Sequence, residues 1–266
     1  SEGLPPHFYA LRQLVGMLPG VVICALLSRV VYRRLDAVAW PFLVFVFFLL
    51  VVVVLPGTEA IAPRINGARR WLNLGVTVQP SEFAKLALIL WTAALAVKKQ
   101  DKLHSMRKGL LPFLLVIGLL DVFAVLEPDL SAAMMFTLVM GVILFSAGAR
   151  IGHFVFLGAL AIPVLWKQIH DLNYVLLRMT SFFDPGEAPQ QVSYQLRQSL
   201  IAIGSGGAFG RGFGEGRQQY GFLPLSYNDF VGGNIGEEWG FVGMALVILA
   251  YAAWGWLGFR IAQQAR

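Results

Sequence analysis

Apolar positions along this chain come in unbroken runs rather than in alternation. Seven runs approach the roughly 20 residues that a helix needs to cross a bilayer: 11–28, 38–55, 83–97, 110–126, 130–147, 154–169 and 241–261. The runs at 83–97 and 154–169 are short, so each is expected to draw in flanking residues. Such runs, without barrel-type alternation, predict an all-α polytopic transmembrane helical bundle. In lipid a helix closes its own backbone hydrogen bonds, whereas an open sheet cannot. Composition agrees, with 57% hydrophobic residues, a mean hydropathy of +0.67 and only 14% charged residues, against ~25% charged in a soluble domain. Residues 1–266 read as a single membrane domain.

Basic residues orient the bundle. Arg29, Arg33 and Arg34 follow the first run, and Lys98, Lys99, Lys102, Arg107 and Lys108 follow the third. Arg150 follows the fifth, and Arg260 and Arg266 close the seventh. Every second connection is therefore basic and is expected on the cytoplasmic side. Arg64, Arg69 and Arg70 break the pattern, because they lie in an outward connection. Either they hold an anion there, or they snorkel to lipid phosphates. The net charge of +6 is explained by the inner loops and gives no reason to invoke nucleic acid. Cys24, the single cysteine, excludes an internal disulfide and a cysteine-based metal site. His7, His104, His153 and His170 have no metal-ligand spacing, and no phosphate loop, dinucleotide fingerprint or nucleophile elbow is present. The chain opens at Ser1 without an initiator Met and stops at Arg266 directly after a run, so it reads as a fragment of a longer protein.

Between the sixth and seventh runs lies a long outward connection, 177–241, rich in Gly, Arg and aromatic residues. Long connections of this composition tend to carry function. It contains Gly204-Ser-Gly-Gly207, then Phe222-Leu-Pro-Leu-Ser-Tyr-Asn-Asp-Phe230, then Gly236-Glu-Glu-Trp-Gly-Phe241. Asp229 stands there as a lone carboxylate beside apolar residues.

Together with Asn66-Gly-Ala-Arg-Arg-Trp71, Gln79-Pro-Ser-Glu-Phe-Ala-Lys85 and Glu127-Pro-Asp129, these blocks resemble, in order and context, the SEDS family of bacterial cell-wall proteins, FtsW and RodA. The likeness covers essentially the whole chain. Gln198-Ser-Leu-Ile-Ala-Ile203 and Gly214-Glu-Gly-Arg-Gln218 look more like FtsW than RodA. Family members have about ten transmembrane helices, so the first helix and the last two or so are expected to be missing here. The resemblance implies a peptidoglycan glycosyltransferase in the bacterial plasma membrane that polymerises lipid II during cell division or elongation. It also implies a class B penicillin-binding protein (transpeptidase) and other division or elongation proteins as partners. One departure stands out. The family pattern Leu-Pro-Glu-x-His-Thr-Asp-Phe has Leu225, Tyr227 and Asn228 here in place of Glu, His and Thr, while Asp229 is kept.

Sugar transfer from a pyrophosphate carrier needs a base for the attacking hydroxyl and cations for the departing pyrophosphate. Asp229 fits the base, since partial desolvation at a membrane surface would raise its pKa. The structural alternative is a helix N-cap. Arg69, Arg70, Arg211 and Arg217 are the candidate cations, because the guanidinium fork matches two phosphate oxygens. Glu82 and Lys85, three apart on one helical face, are expected to face a cavity, paired with each other or with Asp129 or Glu127. A structural ion pair is the alternative. No cofactor is required by the pattern. A divalent cation (Mg or Mn) held by Asp229 with Glu237 or Glu238 competes with a helix-start role for those glutamates. Two other functions use the same residues: a lipid II flippase, and a non-catalytic scaffold of the division machinery. Only the enzyme needs a base at the outer surface.

Overall fold

The computed structural model describes residues 8–64, 68–73, 77–168, 190–218, 222 and 229–264. The seven apolar runs are all helical within these bounds: α1 (Phe8–Leu27), α2 (Leu35–Val54), α3 (Pro80–Lys98), α4 (Leu111–Leu126), α5 (Leu130–Ser146), α6 (Ile151–Gln168) and α8 (Val231–Gln264). One helix was not expected, α7 (Gln190–Gly206), inside the stretch read as a loop. Among the described residues four segments are long and apolar enough to cross a membrane: Tyr32–Val54, Pro80–Lys98, Met106–Leu126 and Val231–Gln264. Gln13–Leu27 and Leu130–Ser146 are apolar but shorter.

Two compact units divide the chain. In the unit spanning residues 21–168, α2 packs on α3, and α5 packs on both α3 and α4. Small side chains at the contacts, Ala39, Ala84, Ala87, Ala124, Ala132 and Ala133, let the backbones approach closely. Trp91 fills the middle, edge-on to Trp40 and Phe113. The outer faces stay apolar, with Phe45, Phe48, Leu115, Leu119, Met134 and Leu138 exposed, as lipid contact requires. Lys98 pairs with Asp36 at 2.8 Å. That bond ties the end of α3 to the start of α2, so the two run antiparallel and share a basic end.

Local signals set the helix starts. Pro80 opens α3 behind an extended Gln79, a position where the missing N–H costs nothing. Asp129 caps α5 by accepting from the Ala132 amide at 3.1 Å. A two-stranded antiparallel ribbon pairs Leu72 with Val78 and Asn73 with Thr77 in the α2–α3 connection.

The other unit takes residues 1–20 and 169–266. Here α8 is interrupted at Gly240, whose φ of 64° and ψ of −159° lie outside the helical region. A break leaves helix-end amides and carbonyls without intrahelical partners. The chain after α7 supplies them. Arg211 and Gly212 amides donate to the Glu237 and Glu238 carbonyls at 3.0 and 3.1 Å, while the Phe241 and Val242 amides donate to the Gly207 and Ala208 carbonyls at 2.9 and 3.1 Å. Residues 207–212 are thus stitched into the gap in α8. Gly210 is required there, since it has φ of 80° and a Cβ on it would overlap the Glu238 carbonyl.

Candidate functional site

The polar residues singled out in the sequence fall into two clusters, one in each unit. In the first, Arg69 and Arg70 lie in the α2–α3 connection and are half-buried. Arg69 donates through Nε to the Ala62 carbonyl at 3.2 Å and through Nη2 to Thr58 Oγ1 at 2.9 Å. Arg70 donates through Nε to the Glu127 carbonyl at 3.0 Å and through Nη2 to the Pro128 carbonyl. These bonds give both arginines a task on the disfavoured side that needs no anion: they fasten the α2–α3 connection onto itself and onto the α4–α5 turn. Each guanidinium has five donors, so part of each fork remains for other partners.

Asp129 is buried. Besides capping α5 it accepts from Gln79 Nε2 at 3.2 Å, and that amide also reaches Ser81 Oγ at 2.9 Å. Gln79 was not among the expected site residues, although its place just ahead of Pro80 made it a helix-entry residue. Glu127 is 1% exposed, and among the described residues neither of its carboxyl oxygens has a hydrogen-bond partner. Glu127 lies just outside the Met106–Leu126 span. Burial, reinforced by the neighbouring Asp129 charge and only partly offset by Arg70, pushes its pKa up from 4.5 to about 8.

Glu82 and Lys85 pair with each other at 2.7 Å, one turn into α3. Glu82 remains 59% exposed and Lys85 29% exposed. Of the expected partners they find each other, while the Asp129 carboxylate turns to Gln79 and the Ala132 amide. Asp121 bonds Thr137 at 3.1 Å, joining α4 to α5.

The second cluster surrounds the break in α8. Glu237 is 1% exposed. Its Oε1 accepts from the Arg217 amide and its Oε2 from the Gln218 amide, both at 3.0 Å. Arg211 Nη1 stands 3.6 Å from Oε1, and its Nε donates to the Ser205 carbonyl at 3.3 Å. An open cleft of about 350 Å³ is lined by Arg211, Glu215 and Arg217. The cleft brings the two expected arginines together. Beside it, Phe213 meets Trp239 edge-on at 6.5 Å.

Asp229 is exposed, two residues ahead of α8. The partial desolvation expected for it is therefore not provided by the described residues. Neither is the N-cap alternative realised: α8 begins at Val231, and among the described residues no amide donates to the Asp229 carboxylate. Asn228 and the rest of 223–228 lie outside the described residues. The divalent-cation alternative fits poorly. Both Glu237 oxygens are already taken by backbone amides, and no group of three His, Cys, Asp or Glu is gathered among the described residues. The stretch 177–241 expected as one loop is helical over Gln190–Gly206 and from Val231 onward. Its glycines and polar residues hid those helices from a search for apolar runs.

Known proteins with the same arrangement agree on the family. The chain is 36% identical to the stage V sporulation protein E of Bacillus subtilis, over 96% of this chain and 69% of that protein. It is 37% identical to a probable peptidoglycan glycosyltransferase FtsW of Trichlorobacter lovleyi, over 91% of this chain and 63% of the relative. The chain thus spans about two thirds of the length of these relatives. Among solved structures it superposes on a chain of a peptidoglycan synthase complex that couples polymerization and crosslinking, with a TM-score of 0.69 and 27% identity over 94% of this chain and 68% of that one. It also superposes on the rod shape determining protein RodA of Thermus thermophilus, with a TM-score of 0.58 and 27% identity over 94% and 64% of the two chains. The cell cycle protein family model of FtsW, RodA and SpoVE matches residues 2–266, and the chain belongs to that family, a multi-pass membrane protein of the SEDS type.

Proposed function

We propose that this chain is the polymerising part of a peptidoglycan glycosyltransferase, which joins lipid II units into glycan strands at the outer face of the bacterial plasma membrane. The observation that carries the reading is the family match across residues 2–266, with relatives named as peptidoglycan glycosyltransferases. The local chemistry supports it. Asp229 is an exposed carboxylate, in the same unit as the cleft of Arg211 and Arg217.

In this reading the acceptor hydroxyl oxygen attacks the anomeric carbon of the donor sugar. The bond from that carbon to the pyrophosphate breaks, and the hydroxyl proton passes to Asp229. Arg211 and Arg217 pair with the donor's pyrophosphate from binding through departure, so their loss weakens binding more than turnover. Arg69, Arg70 and Asp129, with the Glu82–Lys85 pair, are assigned to holding and lining the substrate-facing connections, the arginines through the donors left free by their backbone bonds. No step is routed through Glu237 as a metal ligand. The partner is a class B penicillin-binding protein, in keeping with the synthase complex among the similar structures.

In the full-length protein, assayed in detergent with its partner transpeptidase, Asp229→Ala is expected to abolish glycan formation from lipid II. Removal of a general base typically lowers a rate by ~10²–10⁴-fold. Polymer yield equal to that of the unmodified protein would overturn the assignment of Asp229. Lipid II scrambling by the same variant reports separately on transport.

A further inference from the structure

We propose that Glu237 is a positioning residue for the sugar transfer: its buried carboxylate sets the two arginines of the cleft in place for a pyrophosphate. This rests on the glycosyltransferase reading above and deepens it. Glu237 lies in the last turn of α8 before the break at Gly240. A carboxylate is poorly placed there, because the C-terminal end of a helix carries partial negative charge. It is also 1% exposed, where an unpaired charge is disfavoured. An apolar side chain would fill the same space more favourably if packing were the sole requirement.

What the carboxylate does instead is organise the incoming segment. It accepts from two consecutive amides, those of Arg217 and Gln218, with one oxygen on each at 3.0 Å. That pair of bonds fixes the peptide from which the Arg217 side chain departs. Arg211 is held twice by the same residue: its amide donates to the Glu237 carbonyl at 3.0 Å, and its Nη1 lies 3.6 Å from Oε1. Both cations of the cleft are thus anchored on one side chain and its own carbonyl, while Arg217 stays exposed and Arg211 remains 37% exposed. Gly216, between them in sequence, packs against the carboxylates of Glu237 and Glu238, where a Cβ would lie 3.3 and 3.1 Å from their oxygens. Anchored in this way, the Arg217 backbone and the Arg211 guanidinium lose little freedom when an anion enters, which is how preorganisation raises affinity.

Glu237→Gln conserves shape and one acceptor but replaces the second acceptor with an NH₂ group facing an amide donor. Kinetics of glycan formation by the full-length protein with its transpeptidase partner test the role. Glu237→Gln is expected to raise the KM for lipid II about tenfold, the factor for loosening one charge-assisted contact, with kcat within about twofold. Glu237→Asp, which keeps the charge on a shorter stem, should recover part of the KM. Combined with Arg217→Ala, Glu237→Gln should add less than about twofold, because both changes act on one element. A fall in kcat at unchanged KM, an unaltered KM, or a full additional factor on the Arg217→Ala background would each overturn the inference. A second measurement separates its failure from that of the activity. Inorganic pyrophosphate should raise the Tm of the solubilised full-length protein, and Glu237→Gln should need about tenfold more of it for the same shift. Equal titrations, or no shift in the unmodified protein, would overturn the positioning role even if no polymer forms.

Discussion

At Glu127 a carboxyl is held in the interior with both oxygens unpartnered among the described residues, beside Asp129 and a guanidinium that is busy with backbone carbonyls. The physical outcome is a neutral acid at ordinary pH, with its pKa raised to about 8 chiefly by burial. The sign of the consequence follows from proton counting. Between pH 4.5 and about 8 the folded chain binds a proton at Glu127 that the unfolded chain has released, so stability falls as pH rises through that window and levels off above it. At roughly 1.4 kcal/mol per pKa unit the effect is on the order of a few kcal/mol. Thermal unfolding in detergent from pH 5 to 9 should therefore show a declining Tm, and Glu127→Gln should flatten the decline. An equal slope in the variant would mean that another group titrates. At this scale the sequence was legible where one residue's local grammar sufficed. Glu82 with Lys85 reads as a pair, whereas Asp129 was expected as a partner of that pair and instead caps α5. Glu127 and Glu237 were not legible in their roles, because the first is set by burial in the packed bundle and the second by amides far back along the chain.

Among the elements, the break in α8 decides the most. A run at 241–261 predicted the second half of that helix. The first half was hidden by Val231-Gly-Gly-Asn-Ile-Gly-Glu-Glu-Trp-Gly240, whose glycines are poor helix formers. Of those glycines, Gly236 answers to α7: a Cβ on it would strike Ile203, and one on the facing Gly206 would overlap the Gly236 carbonyl. Close approach of two backbones, rather than turn formation, accounts for Gly206 and Gly236. Helix propensity and packing therefore make opposite forecasts for alanine. Gly204, in the same helix with open space at its Cβ, should accept alanine with neutral stability or a gain of about 0.5–1 kcal/mol. Gly206→Ala should lower stability by about 1–3 kcal/mol, as overpacking does, and Gly210→Ala should do the same through its φ of 80°. Tm values for the three variants check this. A loss at Gly204 matching that at Gly206 would show that backbone freedom, not the approach of the two helices, is what the glycines supply.

For the whole molecule, the runs of apolar residues and the alternation of basic connections carried most of the architecture, since both follow from the bilayer rather than from specific contacts. The unit of α2–α5 has a basic end, where Lys98 meets Asp36, and an opposite end, where Arg69, Arg70, Gln79 and Asp129 are knotted together. The exception that the arginines posed to the positive-inside pattern is resolved by that knot. Half-buried and bonded to backbone carbonyls, Arg69 and Arg70 serve the fold, whereas the lysines and arginines of the other end follow the positive-inside pattern. The knotted end should therefore face outward despite its arginines. Single cysteines placed at Glu59, exposed in the α2–α3 connection, and at Asp101, exposed beyond α3, test this in the full-length protein once Cys24 is replaced by serine. A membrane-impermeant maleimide added to intact spheroplasts should label Glu59→Cys and leave Asp101→Cys untouched until the cells are lysed. The reverse pattern would put the basic end outside. It would also put the knotted end of α2–α5 on the cytoplasmic side, against the topology on which an outward-facing polymerase depends.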